Sequence, residues 1–219
     1  MQWMWQLRPS VSFWGYLREG GGNLNTKVNI VLTGVGGQGV ITAANILGKA
    51  AINANTNVYV SEIHGMAQRG GAVICTVRMG DVASPLVATG SAEVILSTEP
   101  IEALRNIHYA NKTTKVVTDI HPVIPFTVAV GGEKYPDLEK VFNEIASYAT
   151  LYKLDALAIA KKSGAAITKN IVMLGALAAT DLLPFHIDIL QKTVLENVPE
   201  KFKEINKRAF NSGMDALKK

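Results

Sequence analysis

Val28-Asn29-Ile30-Val31-Leu32-Thr33-Gly34-Val35-Gly36-Gly37-Gln38-Gly39 is the stretch on which the rest of the chain turns. An apolar, β-branched run passes into a glycine-rich turn, and a segment of helical period, Gly39 to Ala54, follows it. Glycine accepts positive φ without a Cβ clash and lets another group approach the backbone closely. A helix starting there points unpaired N–H groups and the positive end of its dipole into the turn, a setting that suits an anion. Gly34, Gly36 and Gly39 also fit G-x-G-x-x-G, the dinucleotide fingerprint, and Glu62 lies roughly 20 residues beyond it, where a ribose-binding acid is expected. The same glycines can equally serve tight packing of a helix on a strand, with no ligand involved.

From Lys27 onward, short β-branched runs alternate with helical periods. The pattern predicts strands over Val28 to Thr33, Asn57 to Ser61, Ala72 to Arg78, Glu93 to Ser97, Lys115 to Asp119 and Ala149 to Leu154. Helices are predicted over Gly39 to Ala54, Pro100 to Ala110, Pro136 to Ser147 and Ala156 to Lys162. The C-terminal third reads as nearly all helix: Lys169 to Leu182, His186 to Asn197 and Pro199 to Leu217. Such alternation specifies an α/β class, a doubly wound and mostly parallel sheet with a Rossmann-like glycine-rich first turn and a helical C-terminal third. The 219 residues, 48% of them hydrophobic, suit one large domain over 27–219.

Residues 1–26 stand apart. Trp3, Trp5 and Trp14 are the chain's three tryptophans, and the segment ends in Gly20-Gly21-Gly22-Asn23. Gln6, Arg8, Ser10 and Ser12 interrupt its apolar residues, which argues against a signal peptide. The segment reads as a flexible extension or an over-long start joined by a glycine linker; the functional alternative is an aromatic arm that docks on a partner.

The charge of +4 comes from 22 basic and 18 acidic residues, with the densest basic group at Lys201, Lys203, Lys207, Arg208, Lys218 and Lys219, diluted by Glu200 and Glu204. No aromatic residues are interleaved in a basic patch, so nucleic acid is not expected as a partner. No apolar run reaches the roughly 18 to 20 residues of a membrane-spanning helix. Cys75 is the only cysteine. The chain therefore forms no internal disulfide, which fits a reducing cytoplasm, and by itself builds neither an iron–sulfur cluster nor a cysteine-rich zinc site. His108, His121 and His186 are scattered without metal-ligand spacing, so no metal site is assigned.

The stretch Val58 to Met79 departs from a dinucleotide half-domain. After Glu62 comes Ile63-His64-Gly65-Met66-Ala67-Gln68-Arg69-Gly70-Gly71, a second glycine-bearing loop that runs into the next strand with hairpin closeness. Together, Gly34-Val35-Gly36-Gly37-Gln38-Gly39 and Ser61 to Gly71 resemble the gamma-type domain of 2-oxoacid:ferredoxin oxidoreductases, in particular its indolepyruvate branch. Lys134-Tyr135-Pro136-Asp137, Lys169 to Leu177 and Asn206-Lys207-Arg208-Ala209-Phe210 agree with that resemblance, which spans about Lys27 to Met214.

The resemblance implies oxidative decarboxylation of aryl pyruvates, dependent on thiamine diphosphate, Mg2+ and coenzyme A, with electrons passed through iron–sulfur clusters to ferredoxin. It places thiamine diphosphate and the clusters mainly on a large alpha subunit, so that this chain is one component of a cytoplasmic hetero-oligomer and inactive alone. A gamma subunit of a pyruvate, 2-oxoglutarate or branched-chain enzyme stays open. So do two readings of another class, a non-catalytic dinucleotide-binding module and an assembly subunit.

No catalytic residue is assigned to this chain. Gly34, Gly36, Gly37, Gln38 and Gly39 are candidates to cradle a phosphate of coenzyme A or thiamine diphosphate, or else to abut the partner; the Gln38 amide can donate and accept. His64, Arg69, Gly70 and Gly71 form the candidate substrate or partner loop, since an arginine fork suits a carboxylate or phosphate and a histidine moves protons near neutral pH. A structural ion pair for Arg69 and a plain loop hydrogen bond for His64 are the alternatives. Asn170 is expected to cap the helix that follows Lys169.

Overall fold

The computed structural model describes residues 10–16, 27–65, 70–124 and 135–218. Seven strands form one sheet: β1 (Ser10–Tyr16), β2 (Val28–Val35), β3 (Val58–His64), β4 (Ala72–Met79), β5 (Val94–Ser97), β6 (Lys115–Asp119) and β7 (Thr150–Leu154). Their order is β1-β3-β4-β2-β5-β6-β7. Strands β2, β5, β6 and β7 are mutually parallel, while β4 runs antiparallel to both β2 and β3. From β2 to β7 only β4 is reversed, so the sheet is mostly parallel in direction. Of the opening 26 residues, 10–16 form the edge strand β1, antiparallel to β3; the tryptophan pair Trp3 and Trp5 and the glycine linker lie outside the described residues.

All eight residues of β2 are buried, as a central strand covered on both faces requires. Helix α1 (Val40–Asn53) lies on one face of the sheet with α4 (Ala156–Ser163), α5 (Lys169–Ala178), α6 (Ile187–Glu196) and α7 (Lys203–Leu217). The short α2 (Pro100–Arg105) and α3 (Leu138–Tyr148) pack on the other, around Val31, Ile95, Val116, Val141 and Ile145. The chain is thus doubly wound. Because α1 leaves β2 toward one face and α2 leaves β5 toward the other, a crevice opens beyond the carboxyl ends of these two neighbouring strands, where α/β sheets commonly hold ligands.

Local chemistry sets the helix ends. Asp137 and Asp155 cap α3 and α4 through their carboxylates. The helix expected over Pro100 to Ala110 stops at Arg105, because the buried Asn106 turns its amide to Glu102 O (2.9 Å) and Thr33 Oγ1 (3.0 Å) and a 3-10 turn, Ile107–Tyr109, follows. The helix expected to reach Leu182 ends at Ala178, before Asp181 takes a left-handed φ of 57°. Helices α5 and α7 cross in backbone contact: a Cβ on Gly175 would stand 2.0 Å from Phe210 O, and one on Gly213 would stand 2.0 Å from Val172 O.

The strand after α1 also decides against a dinucleotide half-domain. In that fold the second strand lies parallel beside the first; here β4 is inserted between β2 and β3. Glu62, opposite Cys75 on β3, is therefore two strand spacings from β2, roughly 10 Å.

Candidate functional site

The two glycine loops are joined through their backbones. Gly36 donates its N–H to Gly71 O at 2.8 Å, and Gly70 donates to Gly36 O at 3.3 Å, which continues the β2–β4 ladder past Val35 and Ala72. Gly37 (φ 96°), Gly39 (φ 79°) and Gly70 (φ 81°) have left-handed backbones open to glycine at little cost. Among the described residues no side chain caps α1, so the first-turn N–H groups of a 14-residue helix open onto the loop.

Gln38 holds the loop to the neighbouring strand. Its Oε1 accepts from Val35 N–H (2.8 Å) and from the Thr98 hydroxyl (2.7 Å), and its Nε2 donates to Thr98 O (3.2 Å). These bonds span the crevice between β2 and β5. They also explain Gly34, where a Cβ would come within 1.9 Å of Thr98 Oγ1. Gly39 faces a second obstacle, since its Cβ would lie 2.7 Å from the Asn170 amide nitrogen. Asn170 does not cap α5, whose N-cap is Thr168, but instead packs on the turn.

Lys169 donates to Thr98 O at 3.0 Å and to Asp119 Oδ2 at 2.8 Å. Asp119 is fully buried at the end of β6, and its Oδ1 accepts from Ala156 N–H at 3.2 Å. His121 Nδ1 lies 3.3 Å from Asp119 and 3.5 Å from Asp155. The donor atoms of Asp119, His121 and Asp155 all fall within 4.8 Å of one another. The group is nevertheless ill suited to a metal, because the charge of Asp119 is already matched by the Lys169 ammonium and its other oxygen is taken by a backbone N–H.

Next to Thr98 at the end of β5, the buried Glu99 carboxylate caps α2 through Glu102 N–H (2.9 Å) and accepts from the Tyr135 hydroxyl. Burial and this carboxylate push the Tyr135 hydroxyl well above the ordinary tyrosine range, so it stays a neutral donor.

Two grooves flank the glycine turn. One, of about 610 Å³, runs from Gly37, Gln38 and Gly39 past Lys169 and Asn170, with apolar walls from Ile46, Leu157, Ile171 and Ile205. Ile167 and Phe202 line it too, 87% and 43% exposed. The other, of about 470 Å³, lies between Gly36, Gly37, Gly39, Thr42, Val73 and His64. An anionic head group fits the shared glycine edge, and an apolar body fits the larger groove.

The sequence-selected residues Gly34, Gly36, Gly37, Gln38, Gly39, His64, Gly70 and Gly71 thus converge on one end of the sheet, and Arg69 lies outside the described residues. His64 Nδ1 is 3.0 Å from Gly65 O, and its Nε2 is 3.8 Å from Glu62. Thr98, Asp119 and Lys169 belong to the same network without having been singled out. Their signal was position: Thr98 and Asp119 stand at the carboxyl ends of β5 and β6. Cys75 is fully buried in β4, its thiol pushed up to about 12 chiefly by burial, with Glu62 adding to the shift.

Comparison with known proteins bears on the same stretch of chain. The profile of the family described as pyruvate ferredoxin/flavodoxin oxidoreductase matches residues 29–216. Indolepyruvate oxidoreductase subunit IorB of Pyrococcus horikoshii is 43% identical over 195 residues, 88% of this chain and 96% of that protein. Its counterpart in Archaeoglobus fulgidus is 38% identical over 188 residues, 85% of this chain and 94% of that protein. Among solved structures, the gamma subunit of a keto/oxoacid ferredoxin oxidoreductase from Geobacter sulfurreducens superposes with a TM-score of 0.64 at 25% identity, covering 87% of this chain and 98% of that one.

Proposed function

Because the chain belongs to the pyruvate ferredoxin/flavodoxin oxidoreductase family, we propose that it is the small, gamma-type subunit of an indolepyruvate-class 2-oxoacid:ferredoxin oxidoreductase. The observation that carries this reading is the identity to IorB subunits across nearly their whole length. Other 2-oxoacids are the alternatives, and the branch is chosen on that identity.

The donor set of the chain divides the labour. A cluster needs several thiolates, and the one thiol present is buried and held protonated. The residues do not fit an iron–sulfur cluster, and electron transfer to ferredoxin belongs to a large partner subunit. Thiamine diphosphate and Mg2+, which supply the decarboxylation chemistry, are assigned to that partner as well.

The chain does fit a phosphate. Backbone N–H groups of Gly37, Gly39 and the first turn of α1 would hold an anionic group of coenzyme A, or of thiamine diphosphate reaching in from the partner, since those of Gly36 and Gln38 already bond Gly71 O and Val35 O. Gln38 and Thr98 keep the loop in place, and the larger groove excludes water from an apolar portion of the ligand. His64 borders the opposite side of the turn, where a proton-carrying group would meet substrate or partner. Arg69 is proposed to pair with a carboxylate or phosphate there. The complex is proposed to work in the cytoplasm; among the described residues no helix is long and apolar enough to cross a membrane.

The test is anaerobic co-expression with the large subunit from the same source, followed by viologen or ferredoxin reduction with coenzyme A and a panel of 2-oxoacids. Activity of the complex with indolepyruvate and phenylpyruvate, and none from this chain alone, is expected. Failure with every 2-oxoacid overturns the proposal, and preference for pyruvate or 2-oxoglutarate moves the chain to another branch. Arg69→Ala is expected to lower turnover with assembly intact.

A further inference from the structure

We propose that Lys169 is a positioning residue, whose ammonium, neutralised by the buried Asp119, fixes the end of β5 and through it the conformation of the glycine loop. The inference rests on the reading of that loop as a ligand cradle and names the group that holds it ready.

Thr98 is the junction. Its carbonyl accepts from Lys169 at 3.0 Å and from the Gln38 amide at 3.2 Å, and its hydroxyl donates to Gln38 Oε1 at 2.7 Å. The same Oε1 accepts from Val35 N–H, the last residue of β2. A continuous chain of polar contacts therefore runs from Asp119 on β6, through Lys169 at the first residue of α5 and Thr98 beyond β5, to Gln38 inside the glycine turn.

Lys169 is an unfavourable choice for the first turn of a helix, where the dipole repels positive charge. It stands there with only 13% of its side chain exposed and a carboxylate that is 0% exposed at 2.8 Å. A buried ion pair is weak evidence for stability as such, so a positional role is the better account of keeping one at this spot. The pair is close to neutral toward a ligand, so the cradle keeps its backbone N–H groups as the recognition surface. The adjacent Asn170 packs on Gly39, so α5 meets the loop through two consecutive residues.

The experiment uses the assembled complex and two lesions. Asp119→Asn/Lys169→Met removes both charges together and leaves no unpaired buried ion; Gln38→Leu cuts the loop end of the chain of contacts and leaves the ion pair intact. Backbone amide exchange is followed at Gly36 and Gln38, the loop amides bonded to Gly71 O and Val35 O, with Met173 and Leu174 in the middle of α5 as internal controls. Each lesion is expected to speed loop exchange about tenfold, as the loss of an ordinary hydrogen bond allows, with the α5 controls unchanged. Combined, the two should give no more than either alone, because they act along one path. Lys169→Arg, which keeps a charge against Asp119, is expected to restore most of the protection.

The Michaelis constant for coenzyme A should rise in the same variants by a similar factor, with kcat changed far less. Unchanged loop exchange in either lesion, or additive effects in the combination, overturns the proposal. Faster exchange with an unchanged Michaelis constant for coenzyme A upholds Lys169 as the holder of the loop and counts against that loop as the coenzyme's cradle.

Discussion

Gly36 donates its backbone N–H to the carbonyl of Gly71 across 2.8 Å, and the N–H of Gly70 returns a bond to Gly36 at 3.3 Å. Two glycine-rich motifs about 35 residues apart in the chain are thus a single backbone unit, an extension of antiparallel strand pairing beyond the sheet.

Gly39 and Gly70 have nearly the same φ, 79° and 81°, in opposite surroundings. Among the described residues a Cβ on Gly70 meets nothing within 4 Å, whereas one on Gly39 meets the Asn170 amide at 2.7 Å. Gly70→Ala should therefore cost only the left-handed penalty, about 1–2 kcal/mol. Gly39→Ala should cost more, and Asn170→Ala introduced beside it should recover the steric part alone. Urea unfolding of the three variants and the parent checks this; equal losses for Gly39→Ala and Gly70→Ala would refute it.

The α5–α7 crossing predicts a larger effect far from the cradle. With Phe210 O and Val172 O each 2.0 Å from the missing Cβ positions, Gly175→Ala or Gly213→Ala must push the helices apart. The loss is expected near 3 kcal/mol, as overpacking of a rigid contact implies. A thermal midpoint within a degree or so of the parent would show that the crossing can yield.

Glu102 sets a pH dependence. Its carboxyl is held above the ordinary 4.5, chiefly by burial, with Arg105 opposing and Glu99 reinforcing the shift. A raised acid binds its proton more tightly folded than unfolded. Its contribution is therefore best below the unfolded value and is lost as pH rises through the folded one. Glu102→Gln carries no charge at any pH, so the difference in urea midpoint between variant and parent should move in the variant's favour as pH rises above the ordinary 4.5. A difference that stays constant with pH would exclude this assignment.

Cys75 should be chemically silent in the folded chain. Fully buried, with its thiol pushed up to about 12, it offers almost no thiolate to an alkylating reagent. Labelling near pH 8 is expected to be negligible in native buffer and complete in denaturant. Rapid native labelling would contradict the burial.

Much of the fold was legible because its signals are local. Val28 to Val35 is mostly apolar and rich in β-branched residues, as suits a strand covered on both faces, and Asp137 and Asp155 mark helix starts by their own chemistry. The six strands expected from Val28 to Leu154 are all present, most within one or two residues of their predicted ends. Asn106 was less legible, because its helix-ending bonds run partly to Thr33, 73 residues away. The same limit applied to the site. Gly36, Gly39 and Gln38 announce themselves within six residues, whereas Lys169 reads as any helix-start lysine until β6 brings Asp119 beside it.

The sequence by itself determined the alternation of strands and helices, the glycine turn ahead of α1, and the lack of thiolates for a cluster, since each follows from residue type and near-neighbour spacing. Only the tertiary structure decided what the glycines are for. Gly34 is required by Thr98, 64 residues on, and Gly39 by Asn170, 131 residues on. It likewise decided that Glu62 is no ribose partner, because β4 stands between its strand and β2. The reason is physical: strand order and contacts between distant residues depend on how two helical layers close over one sheet, and no window of local sequence carries that information.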